Sequence, residues 1–124
     1  MRGRLIAVAG LALLGAAPKQ DPLAAELDGR VPGKPVDCLD RSRIDGPQII
    51  DERTIIYRES GRRVWRNDLP DACPGLRPND VMVIEIYGSQ LCRNDHFRAF
   101  PQGTSIPGAI CRLGKFTPYD KAGK

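Results

Sequence analysis

Four cysteines, Cys38, Cys73, Cys92 and Cys111, follow an N-terminal segment that reads as an export signal. No other feature restricts the fold as much. Met1-Arg2-Gly3-Arg4 carries two positive charges and no negative one, and the run from Leu5 to Ala17 is uncharged. A basic start, an apolar stretch and small residues at its end match a signal peptide. The run is shorter than the roughly 20 apolar residues that span a membrane. The sequence therefore predicts a cleaved signal peptide over residues 1–17, with a cut near Ala24-Ala25 as the other option. No cysteine follows the apolar run closely, which argues against a lipid anchor. An even number of cysteines then reads as two disulfides, in a periplasmic or secreted protein.

Loss of residues 1–17 removes Arg2 and Arg4 but no acid. The 19 basic residues become 17 against 15 acids, and the net charge falls from +4 to +2. That balance is ordinary for a domain and makes nucleic acid an unlikely partner. No second apolar run follows, so no transmembrane span is expected in the mature chain. About 107 residues suffice for one domain with a modest core. Disulfides matter at this size because they restrict the unfolded chain. A loop the size of Cys73–Cys92 contributes about 3 kcal/mol on the chain-entropy model, and one spanning Cys38–Cys111 roughly 4.5 kcal/mol.

Residues 18–37 read as a Pro/Gly-rich leader, with Pro18, Pro22, Pro32 and Pro35 around Gly29 and Gly33. Within it Asp21 can cap a short helix with Pro22 in the first turn. Strand patterns begin at Cys38. Leu39 to Ile44 is a candidate first strand, and Asp45-Gly46-Pro47 a turn. Thr54 to Arg58 and Arg63 to Arg66, either side of Glu59-Ser60-Gly61-Arg62, form the clearest hairpin. Val81 to Tyr87 is the strongest strand, and Gly88-Ser89 is expected to turn Gln90-Leu91-Cys92 back alongside it. His96 to Phe100 and Ala109 to Leu113 complete the pattern, before a polar tail at 120–124. The fold class is thus all-β: a single-domain barrel or sandwich of about six short strands over residues 38–119, with two disulfides and little helix.

Three segments carry a likeness: Leu69-Pro70-x-x-Cys73-Pro74-Gly75-Leu76, Leu91-Cys92-x-x-Asp95, and Cys111-x-Leu113-Gly114-x-Phe116-x-Pro118. With Cys38, Ile44 and Ile55-Ile56 in front, roughly residues 36–119 resemble a group of small secreted four-cysteine bacterial domains of unknown function. The resemblance implies the architecture and brings no activity with it. It includes Asp95 but not His96, which implies a structural Asp95. Four cysteines permit three pairings. Cys73–Cys92 with Cys38–Cys111 is the expected one, fastening the first strand to the last, and the other two stay open.

The candidates for chemistry are few. Structural zinc sites place paired cysteines two to four residues apart, whereas here the nearest are 19 apart, so no metal or other cofactor is expected. His96, the one histidine, follows Asp95 and could act as a general acid or base. Ser89 and Ser105 are available hydroxyls but lie in no nucleophile motif. The plainer reading makes Asp95 a turn residue and His96 an exposed strand residue. Arg58, Arg62, Arg63 and Arg66 surround Trp65, a pattern that can grip phosphate. Strand alternation places Arg63 and Trp65 on one face and Arg66 on the other, which splits the cluster. Arg62, Arg63, Trp65, Asp95 and His96 are therefore the binding candidates. The leading expectation is an exported, non-catalytic binding or accessory domain of the cell envelope. Its partner is left open between another envelope protein and an anionic polymer. The alternatives are a periplasmic hydrolase using Asp95 and His96, or a protein that binds anionic polymer or lipid through the Arg58–Arg66 hairpin.

Overall fold

The computed structural model describes residues 21–122, together with Gly3. Apart from that glycine, the expected signal peptide lies outside the described residues. The fold is all-β, as the strand patterns predict, with ten strands in three antiparallel sheets among the described residues. A five-stranded sheet has the order β1 (Arg30–Pro32), β10 (Phe116–Lys121), β5 (Arg63–Asp68), β4 (Thr54–Arg58), β3 (Asp45–Ile49). β2 (Cys38–Asp40) pairs with β7 (Gln90–Cys92), and β8 (His96–Phe100) lies between β6 (Val81–Ile84) and β9 (Ile110–Arg112). Among the described residues no sheet closes into a barrel.

Alternation explains the core. Ile49, Ile55, Tyr57, Trp65 and Phe116 form the inner face of the large sheet and pack with Leu39, Leu91, Phe97 and Ala99 from the two small sheets. Tyr57 meets Phe116 edge to face, with ring centroids 6.1 Å apart. Ile56 and Val64 occupy the opposite face yet are fully buried. Helix α1 (Pro22–Leu27) is held to that side, where Arg58 donates to the Glu26 carboxylate. Leu23, Glu26 and Leu27 are its half-buried residues, spaced for one helical face. Asp21 caps the helix as expected, its side chain accepting from the Leu23 N–H.

Several expectations need correction. Residues 30–36 are no loose leader: β1 pairs with β10, and Val36 forms a bridge with Phe116. The segment from 120 is no mere tail either, because Asp120 and Lys121 close β10 opposite Arg63 and Arg30. Leu39 to Ile44 is not a continuous strand, since Asp40 caps a 3-10 turn over Arg41–Arg43. Ser42 donates to the Asp40 carboxylate from both its hydroxyl and its N–H, which holds that carboxyl below its ordinary pKa. Asp45-Gly46-Pro47 opens β3 instead of turning, with a bulge in its pairing to β4 between Asp45 and Gln48.

The disulfide pairing also differs. Cys38 bonds to Cys92, and Cys73 to Cys111, in place of Cys38–Cys111 and Cys73–Cys92. Its cause is topological. Gly88-Ser89 does not make a hairpin of β6 and β7; the chain leaves the sheet there, and β7 pairs with β2. Cys38 and Cys92 are then direct cross-strand partners. β8 returns to β6 instead, and β9 beside it carries Cys111 to within 5.7 Å (Cα–Cα) of Cys73.

Candidate functional site

The β6–β8–β9 sheet turns Met82, Ile84, Phe97, Ala99 and Cys111 toward the core. Its other face is open, and strand register arranges that face in three rows. Val81 stands opposite Phe100; Val83, Arg98 and Ile110 form the second row. The third joins His96 to Arg112, and extends to Glu85, whose N–H donates to the His96 carbonyl at 3.0 Å. Val81, Val83 and Ile110 are each more than half exposed, which is unusual for β-branched residues gathered on one small face. A cleft of about 320 Å³ lies over the middle of it, lined by Val83, Glu85, His96, Arg98, Phe100 and Ile110 among others. A second, of about 250 Å³, shares His96 and Ile110 and continues past Arg112 to Asp71 and Pro74.

This arrangement places His96 between two clefts, as a face residue and not as part of a catalytic pair. Asp95 points elsewhere. Its carboxylate accepts from the Cys92 N–H at 2.7 Å, closing the turn between β7 and β8. Asn94, with φ of 71°, supplies the left-handed residue of that turn. Among the described residues no hydrogen bond joins the His96 side chain to Asp95, Ser89 or Ser105. A base without an orienting carboxylate or a nearby nucleophile lacks the geometry that makes a triad.

The arginine hairpin is present as predicted, but its charges are spoken for. Arg63 forms a two-pronged bond to Asp120, Nε to Oδ1 at 2.6 Å and Nη2 to Oδ2 at 2.8 Å, and stacks 5.3 Å from the Trp65 ring centroid. The Arg63 hydrogen bond holds the Asp120 carboxyl below its ordinary pKa. Arg58 is paired with Glu26 and Arg66 with Asp68. Of the four, Arg62 alone has no carboxylate partner among the described residues. Trp65 is buried, so its ring offers no stacking platform.

Sequence reasoning identified His96 but missed Val83, Glu85, Arg98, Phe100 and Ile110. Alternation within Val81–Tyr87 and within His96–Phe100 already separates these residues from the core-facing ones. Their meeting depends on β6 pairing with β8, which the expected turn at Gly88-Ser89 concealed. Among the described residues no cluster of His, Cys, Asp and Glu is suited to a metal ion, and no helix is long and apolar enough to cross a membrane. Comparison with family models, curated proteins and solved structures finds no match to the chain.

Proposed function

We propose that this protein is a small, exported, non-catalytic binding domain of the cell envelope, periplasmic or secreted, that receives a partner on the outer face of β6–β8–β9. The observation that carries the reading is the three-row face itself. Exposed Val83 and Ile110 flank Arg98, with Phe100 on one side and His96 and Arg112 on the other. An apolar floor with a few convergent polar groups is the usual make-up of a binding cleft. Arg98, which has no ion-pair partner among the described residues, offers a free cationic donor beside that floor, so the face suits an apolar group adjoining a carboxylate or similar anion. A segment of another envelope protein supplies that combination. Two disulfides suit the oxidising compartment in which such a domain would work. The kinship with secreted four-cysteine domains belongs to the same proposal.

A fluorescent apolar anion, anilinonaphthalene sulfonate, tests the reading on the oxidised protein. The expected result is saturable binding to the native state, weakened about five- to tenfold by Ile110→Ser, which removes the apolar contact without changing the charge of the face. Ile110 is 58% exposed in the free protein, so the substitution leaves the fold intact. Native protein that does not bind the dye, or an Ile110→Ser variant that binds it equally well, contradicts the proposal.

A further inference from the structure

β6 is an edge strand that pairs with β8 on one side only. It opens the most β-prone segment of the chain, Val-Met-Val-Ile-Glu-Ile-Tyr from 81 to 87. Edges of this kind ordinarily carry a lysine, a proline or a bulge that blocks further pairing. Here there is one charge, Glu85, and none of those devices. The Glu85 N–H reaches the His96 carbonyl, so Val81, Val83 and Glu85 turn their backbone groups toward β8. Alternation within an antiparallel ladder turns those of Met82 and Ile84 to the open side. No backbone hydrogen bond reaches them there among the described residues.

We infer that β6 pairs antiparallel with β6 of a second copy of this chain, about a two-fold axis at Ile84. Charge and register select that axis. Centring on Ile84 sets the outward backbone groups of Ile84 against their own copies, and those of Met82 against Ile86. Every such pair is then of the hydrogen-bonded kind. The same register sets Glu85 opposite the partner's Val83, in the row that Arg98 occupies. Neither Glu85 nor Arg98 has an ion-pair partner among the described residues. The two-fold axis brings the partner's Glu85 across Val83 to Arg98, which already has its own chain's Glu85 on the diagonal, and so gathers two arginines and two carboxylates about the axis. Centring on Glu85 would oppose two like charges, and centring on Val83 would lose the contribution of Ile86. The product is a continuous six-stranded sheet in which the two outer faces adjoin. This goes beyond the binding role proposed above, and either can fail without the other.

Sedimentation and amide hydrogen exchange of the oxidised protein decide the matter. Concentrations should reach about 1 mM, because a strand-edge interface falls in the small, weak class. The expected result is a species of twice the chain mass whose formation slows exchange at the Met82 and Ile84 amides by about tenfold or more. Glu85→Arg and Arg98→Glu, both at exposed positions, should each weaken association about three- to tenfold, and the double variant should restore it. A monomer throughout the range overturns the inference. So does a dimer with unchanged exchange at Met82 and Ile84, or a double variant as weak as the single ones.

Discussion

Asn67 and Gly114 exchange two hydrogen bonds of 2.8 Å. The Asn67 amide donates to the Gly114 carbonyl, and its side-chain oxygen accepts from the Gly114 N–H. Asn67 is completely buried in β5, opposite Phe116, so this one side chain ties the large sheet to the connection between β9 and β10. A Cβ at position 114 would lie 2.0 Å from the Asp68 carbonyl oxygen, closer than any real contact. Only glycine fits.

Gly114→Ala should therefore destabilise the protein by about 3 kcal/mol or more, since backbone must shift to admit the methyl group. Asn67→Ala leaves the half-buried N–H and carbonyl of Gly114 without their partner and should cost about 1–3 kcal/mol. A methyl group at position 61 would meet nothing within 4 Å, so Gly61→Ala should leave stability nearly unchanged. Urea unfolding followed by Trp65 fluorescence measures all three.

Tyr57 and Trp65 are cross-strand partners, and the Tyr57 hydroxyl and Trp65 indole N–H are buried without hydrogen-bond partners among the described residues. Burial pushes the Tyr57 phenol well above its ordinary value of 10.0. The folded state thus keeps a proton that the unfolded state releases, and stability falls as pH rises above about 10. Tyr57→Phe removes an unsatisfied hydroxyl and should be neutral or stabilising near pH 7. It should also flatten the alkaline loss of stability, which thermal melts between pH 8 and 11 will reveal.

Asp120 gives the opposite pH dependence. Its carboxyl, held below the usual 3.8 by the Arg63 hydrogen bond, contributes stability above that value and loses it as pH falls through the lowered pKa. Asp120→Asn should reduce the acid sensitivity of the melting temperature below pH 4 and have a small effect near neutrality, because the pair is partly exposed.

The two disulfides should differ in accessibility. Cys73 is 1% exposed and only its partner Cys111 is half-buried, whereas Cys38 and Cys92 are both half-buried at the rim of the two-stranded sheet. Graded reduction followed by alkylation and peptide mapping should label Cys38 and Cys92 first. The oxidised protein should give Cys38–Cys92 and Cys73–Cys111 peptides; any other pairing contradicts the topology.

What was legible in the sequence were the local features. β4 and β5 follow from Thr54–Arg58 and Arg63–Arg66 because a short turn joins them and alternation fixes their inward residues. Asp95 as a turn residue was legible for the same reason. Pairings between distant segments were not. Arg30–Pro32 and Phe116–Lys121 contain prolines that mask strand character, and their pairing with each other spans most of the chain. Pro118 is tolerated opposite Trp65, and Pro32 lies in an edge strand, where a missing N–H costs little. The β2–β7 pair joins two three-residue strands whose one buried residue apiece, Leu39 and Leu91, gives no periodicity to read. The three-row face was hidden by the same gap, since its rows exist only once β6 and β8 are paired.

The central claim is that the outer face of β6–β8–β9 receives an apolar, anionic partner. Residue-resolved NMR titration of the oxidised protein with anilinonaphthalene sulfonate tests it most directly. The account predicts saturable shifts confined to Val83, Glu85, His96, Arg98, Phe100, Ile110 and their immediate neighbours. Shifts centred on Arg62, Arg63 and Trp65, or scattered over the surface, would contradict it.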